Sequence, residues 1–258
     1  MNVLQNLTEL YNTLPYDSTY RSVAKGILDN LGRMEEITIY DIAELTDSSR
    51  TTVWRMVQKM GYKSFSDFRF ALQSAVSQYG YYNRMLPPAV CTDEEKLRES
   101  MIERMEQSAR MYEELCSPSL MTQLVDELKA ADKVHFYMPF RLGMVGMMQQ
   151  NLAMSGKETA YHILYPRIMD AVDELSDRSI VIIATIEFAE TLDMKNAFLK
   201  IKERGARIWL TGTSRTKYRK YADRMLLDVE ADSFSWITTL EAMLLSLSEL
   251  YRAKCIDY

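Results

Sequence analysis

The spacing of apolar residues changes near residue 119, and a chain that changes period in this way cannot be one all-helical or one all-strand fold. Beyond that point, short runs rich in β-branched and aromatic residues alternate with helical stretches. The runs are Lys133–Met138, Glu158–Ile163, Ser179–Thr185, Ala206–Thr211 and Met225–Val229, with helices near 142–155, 167–174 and 190–204 between them. Apolar runs of this kind need cover on both faces, which predicts a five-stranded parallel sheet between helices. Gly205 stands where a helix-to-strand turn requires it. A last helix, from about Phe234 to Lys254, carries Trp236, Ile237, Leu240, Met243, Leu244, Leu247 and Tyr251 in a stripe wide enough for the sheet and a second copy of the chain.

Up to residue 82 only helical spacing occurs. Val3, Leu4, Leu7 and Leu10 form one short stripe. Asp17 and Ser18 can cap a second helix carrying Val23, Ala24, Ile27, Leu28 and Leu31. Thr38 starts a short helix with Ile42, Ala43 and Leu45 inward. Ser49 is placed to cap the next, with Val53, Val57 and Met60 on one side and Gly61 at its end. Ser64 or Ser66 caps another through Phe68, Ala71, Leu72 and Val76. Pro87, Pro88 and the stretch around Cys91 interrupt the pattern. A charged helix then runs from about Glu94 to Leu115, with Leu97, Met101, Ile102, Met105 and Met111 as its apolar side. The expected class is α plus α/β, divided into an all-helical domain at 1–82, a linker and connecting helix at 83–118, and an α/β domain at 119–258.

The chain's formal net charge is −5, so bulk charge does not draw it to nucleic acid. Between Ser48 and Arg69, however, Arg50, Arg55, Lys59, Lys63 and Arg69 face only Asp67, while Glu35, Glu36, Asp41, Glu44 and Asp47 gather just before. Such runs are often solvated surface. Here the cations fall on two short helices joined by a tight turn, an arrangement that puts the second helix in the DNA major groove. With Val53, Val57 and Met60 inward, Ser49, Arg50, Thr51, Thr52 and Arg55 face outward at the helix's N-terminal end. Arginine suits a guanine edge, and hydroxyls suit bases or phosphates. Lys59, Lys63 and the helix beginning at Ser64 suit backbone phosphate. Trp54 is read as packed on a neighbouring helix, with stacking on DNA as the alternative.

Three blocks in this region, Ile39 to Leu45, Ser49 to Arg55 and Lys59 to Phe68, resemble the N-terminal domain of the RpiR family of bacterial regulators. Ser64 replaces the glycine of the third block, and Ile42-Ala43 stands for Leu-Ala in the first. The resemblance covers about residues 1–80. It implies a DNA-binding transcription regulator whose second domain is of the sugar-isomerase (SIS) type, a five-stranded parallel sheet that binds phosphorylated sugars. The phosphate-binding motifs depart from the family. Met138-Pro139-Phe140-Arg141-Leu142-Gly143 lacks both glycines of the first motif, and Pro139 has no N–H to offer an anion. In Ile186-Glu187-Phe188-Ala189-Glu190-Thr191 only Thr191 survives from the second, and Glu187 repels phosphate. The effector candidates at the C-terminal edge of the sheet are Arg141, Thr185, Glu187, Thr191, Thr213 and Ser214.

Cys91, Cys116 and Cys255 are widely spaced and form no CxxC, which argues against a disulfide framework or a zinc site and fits a reducing cytoplasm. No cofactor, signal peptide or membrane span is expected. The 18 methionines sit at core-like spacing. The reading is a cytoplasmic homo-oligomer, dimer or tetramer, that binds a two-fold symmetric DNA operator and is modulated by a small metabolite such as a sugar phosphate. Two alternatives stay open: an SIS-like domain without ligand that serves only oligomerisation, and an isomerase-type enzyme. Against the enzyme, His135 lies within a strand, and His162 has only Glu158, Glu187 and Glu190 as sequence-level candidates for partners.

Overall fold

The computed structural model describes residues 3–34, 37–77, 85–139, 141–163, 165–185, 192–212 and 216–256, with backbone only at 165–167 and 192–193. The chain divides into two compact units, Met1–Arg84 and Met85–Tyr258.

The first unit is helical: α1 (Val3–Thr13), α2 (Thr19–Asp29), α3 (Ile39–Leu45), α4 (Arg50–Lys59) and α5 (Phe65–Ser77). Its core joins Val3, Leu7 and Leu10 of α1, Val23, Ala24 and Ile27 of α2, Ile42 and Ala43 of α3, Val53, Met56 and Val57 of α4, and Phe68 and Leu72 of α5. The capping signals at α3, α4 and α5 act as expected, whereas Leu45, expected inward, is exposed. Thr38 and Asp41 form a reciprocal capping box at α3, which holds the Asp41 carboxyl below its ordinary range through the Thr38 hydroxyl and then its backbone N–H. The Ser49 hydroxyl accepts from Thr52 N at α4, and the Ser64 hydroxyl from Asp67 N at α5, so Ser64 rather than Ser66 is the cap. Ser18 precedes α2 but makes no side-chain cap bond, a correction to its expected role. Gly61 follows α4 with φ 87°, the left-handed conformation that a glycine adopts without strain.

The second unit runs α6 (Glu94–Leu115), α7 (Pro118–Ala130), β1 (Lys133–Tyr137), α8 (Gly143–Met154), β2 (Glu158–His162), α9 (Tyr165–Val172), β3 (Ser179–Ala184), α10 (Leu192–Glu203), β4 (Arg207–Gly212), β5 (Arg224–Asp228) and α11 (Ser233–Cys255). The five strands are parallel, in the order β2-β1-β3-β4-β5. Alternating side chains divide the interior. Val134, Phe136, Ile180, Ile182 and Trp209 join the core of α7, α8 and α11, while Tyr137, Val181, Ile183, Ile208 and Leu210 join that of α9 and α10. Glu127 of α7 ties the sheet to its helix layer by accepting from Trp209 Nε1 at 3.1 Å and from Arg207 at 3.3 Å, and it also pairs with Arg224.

The apolar side expected for α6 is corrected by its packing. Ile102 and Met105 are exposed, whereas Ser108 is buried against α11. The Ser108 hydroxyl donates to Arg104 O at 2.8 Å and lies 3.4 Å from Ser235 O, the Thr239 hydroxyl donates to Ser235 O at 2.7 Å and lies 3.4 Å from Ser108 O, and Tyr112 donates to Ser246 at 2.7 Å. Small polar residues let the two helices approach closely, which a stripe of large side chains would prevent.

Candidate functional site

The turn between α3 and α4 is braced from within. The Thr46 hydroxyl lies 2.7 Å from Ile42 O and 2.8 Å from the Ser48 hydroxyl, and Asp47 adopts a positive φ of 45°, which aspartate tolerates. With the turn set, Val53, Met56 and Val57 are buried, and the opposite side of α4 faces water. Thr51, Arg55 and Lys59 are exposed there, Arg50 is exposed as the first residue of the helix, Lys63 follows in the turn before α5, and Thr52 is half-buried.

The candidates do different work. The Ser49 and Thr52 hydroxyls lie 2.9 Å apart and, with the amide of Thr52, engage each other in the cap. Ser64 is similarly occupied by the cap of α5. Arg50, Thr51, Arg55, Lys59 and Lys63 are therefore the outward donors, and Trp54 is half-buried against the core. Sequence reasoning missed Tyr40. It is 62% exposed on α3, and the Arg50 guanidinium lies 4.6 Å from its ring centroid. The stack holds the guanidinium of Arg50, the first residue of α4, over a ring of α3. Lys59 sits 5.7 Å from the Tyr20 ring in the same manner. Aromatic residues ten or more positions away from the cations they hold give no periodic signal.

In the second unit, the direction in which successive parallel strands are added to the sheet reverses between β1 and β3, so their C-terminal ends open the crevice where sheets of this type bind ligands. Arg141 is exposed beside it. Thr185 is 1% exposed, and its hydroxyl lies 3.3 Å from that of Thr216. Glu187, Thr191, Thr213 and Ser214 lie outside the described residues. The N-terminus of α8 faces the same edge, and three of the amides there are occupied. Gly143 N donates to Glu241 Oε1 at 2.7 Å, Met144 N donates to Glu241 Oε2 at 2.9 Å, and Leu142 N donates to the Tyr161 hydroxyl at 2.6 Å.

Both histidines of the chain lie on one face of β1 and β2, their rings 5.7 Å apart, with Tyr137 5.3 Å from His162. His135 is 1% exposed and, among the described residues, neither of its ring nitrogens has a hydrogen-bond partner. Burial lowers its pKa, Glu158 opposes that shift and Lys133 adds to it. A neutral, enclosed imidazole of this kind has no outlet for acid–base exchange with a substrate. Among the described residues there is no group of three or more histidine, cysteine or acidic residues able to hold a metal, and no helix long and apolar enough to cross a membrane. Burial pushes the Cys116 thiol up to about 11, while Cys91 is exposed.

Residues 1–79 match the family model described as the helix-turn-helix domain of the rpiR family. A search of curated protein sequences finds no match. Similar solved structures include the Vibrio vulnificus NanR protein complexed with ManNAc-6P, at 17% identity over 98% of this chain and 92% of that one, with a TM-score of 0.46. The sugar isomerase domain of an RpiR transcription factor from Sphaerobacter thermophilus is 16% identical over 67% of this chain and 92% of that one, with a TM-score of 0.48. The c3406 protein of E. coli CFT073 is 16% identical over 64% of this chain and 95% of that one, with a TM-score of 0.44.

Proposed function

We propose that this chain, whose first 79 residues form an rpiR-family helix-turn-helix domain, is a transcription regulator that reads DNA through α4 and answers to a small metabolite held by its second unit. The observation that carries the reading is the solvent side of α4, where Thr51, Arg55 and Lys59 stand exposed opposite a side locked into the core and Arg50 is exposed at the helix's first position. Arg50 and Arg55 read base edges, while Lys59 and Lys63 hold phosphate. Two copies, paired through the second unit, set two recognition helices on a two-fold symmetric operator. A ligand at the crevice between β1 and β3 changes their separation and so couples to DNA affinity. This chain is not read as an enzyme, because His135 is enclosed in the sheet and its only histidine neighbour, His162, stands half-buried beside it.

The test is a titration of the full chain onto a pool of genomic DNA fragments at two salt concentrations. A selected fragment is bound with an affinity that falls steeply with salt. Arg50→Ala and Arg55→Ala each cost about 1–3 kcal/mol of discrimination on that fragment, and Lys59→Ala lowers affinity alike on all sequences. A double arginine variant that is folded and selects the same fragment as tightly as the unaltered chain sinks the assignment.

A further inference from the structure

The N-terminus of a helix at the ligand edge of an open α/β sheet is a ready-made anion site, because its unpaired amides and the positive end of its dipole point at the crevice. In this protein α8 has that place and twelve residues of length. Its first two amides nevertheless receive both oxygens of one carboxylate, Glu241, at 2.7 and 2.9 Å. The amide just before them, Leu142 N, donates to Tyr161 at 2.6 Å, and Pro139 in the loop ahead has no N–H to give.

We infer that Glu241 sets what the α8 N-terminus accepts: its carboxylate takes the position of a ligand's anionic group and closes this end of the crevice to phosphate. The geometry is that of a bound anion supplied from within the chain. Two charge-assisted bonds and the helix dipole hold it. An incoming phosphate would have to displace the carboxylate and leave it near a second, larger negative charge. Glu241 sits a third of the way along α11, and α11 packs on α8 along its length, with Asn151 of α8 donating to Ser248 O at 3.2 Å and to the Ser248 hydroxyl at 2.9 Å. The carboxylate is thus carried to α8 from the fixed backbone of a packed helix, so only a change of its own side-chain rotamer moves it aside. A phosphorylated effector would meet this domain elsewhere than at α8. The inference rests on the reading of the second unit as the effector domain. Because it is tested without DNA, its failure is distinct from that of the regulator reading, which the fragment titration tests.

The test is calorimetric titration of inorganic phosphate into the full chain and into Glu241→Ala and Glu241→Gln, with circular dichroism to establish that each is folded. The unaltered chain gives no saturable heat in the millimolar range. Glu241→Ala, with two amides exposed and no competing charge, binds phosphate at least about tenfold more tightly than the unaltered chain. Glu241→Gln keeps an acceptor oxygen but loses the charge and shows a smaller gain. It carries the test alone if the alanine variant does not fold. Phosphate affinity that is the same in the unaltered chain and the folded variants, or absent from all of them, overturns the inference.

Discussion

Gly26→Ala isolates how tightly the recognition turn is held. A Cβ built on Gly26 of α2 would lie far inside van der Waals contact with the Thr46 methyl, in the turn between α3 and α4. Thr46 cannot rotate away without loss, because its hydroxyl bonds Ile42 O at 2.7 Å and the Ser48 hydroxyl at 2.8 Å. Helix propensity alone would make the alanine stabilising by about 0.8–1.0 kcal/mol. Forcing a methyl into this packed contact costs about 1–3 kcal/mol. The expected net effect is destabilisation by up to about 2 kcal/mol. Thr46→Ser removes the offending methyl and keeps both hydroxyl bonds, at a cost of about 0.8 kcal/mol for the lost burial. In the double variant the new alanine methyl fills the vacated space, so the pair couples favourably by about 1–3 kcal/mol and returns close to the unaltered stability. The assay is native-state hydrogen exchange of the full chain, read on peptides from α2 to α4, because global melting would mix the two units. Greater protection in Gly26→Ala than in the unaltered chain, or no coupling with Thr46→Ser, refutes the argument.

Other consequences follow from the polar contacts. His135 has a folded pKa below its unfolded value, so the unfolded chain takes up the proton first. Its stabilising contribution is present above about pH 6.5 and is lost as pH falls from there through the lower folded pKa. His135→Phe should flatten the acid limb of a melting-temperature profile, and an unchanged limb would assign that limb to other groups. Removing Glu127 leaves the fully buried Trp209 Nε1 without its acceptor and parts it from two half-exposed arginines, so Glu127→Ala should cost about 2–3 kcal/mol in urea unfolding and Glu127→Gln clearly less. If the two variants are equally unstable, the Trp209 bond is not the main loss. Tyr40→Leu removes the ring under Arg50 and should weaken fragment binding by about 0.5–1 kcal/mol, while Tyr40→Phe should not. Equal losses would point to the hydroxyl instead of the ring.

What the sequence discloses is what is local. The caps at Thr38, Ser49 and Ser64 are legible because donor and acceptor lie three residues apart. The strands are legible because fully buried strands must be apolar at every position, as Ser179–Ala184 is apart from its first residue. The recognition face is legible because one helical period places Thr51, Arg55 and Lys59 opposite Val53 and Val57, while Arg50 is exposed as the first residue of the helix. The rest is long-range. Glu241 meets Gly143 across 98 positions, and no periodicity marks a carboxylate that caps another helix. The α6 face is hidden for the same reason. Met105 and Ile102 satisfy a helical stripe, yet Ser108 is the residue whose small side chain allows α11 to come close.

The closure of the larger core by α11 also bears on the order in which the molecule forms. Its contacts with α6 join residues 127 to 134 positions apart, and its contacts with α8 join residues 96 to 98 apart. All five strands precede it in the chain. Folding slows as such distant pairings come to dominate, whereas the α1–α5 unit is assembled from neighbouring segments. In a refolding experiment the helical unit is therefore expected to regain protection first, while the second unit waits for its final helix with the α7–α8 side of its sheet still wet. Through that interval the chain holds a formed α4 face beside a second unit whose larger core is not yet sealed, and the lifetime of that state is set by how fast α11 docks.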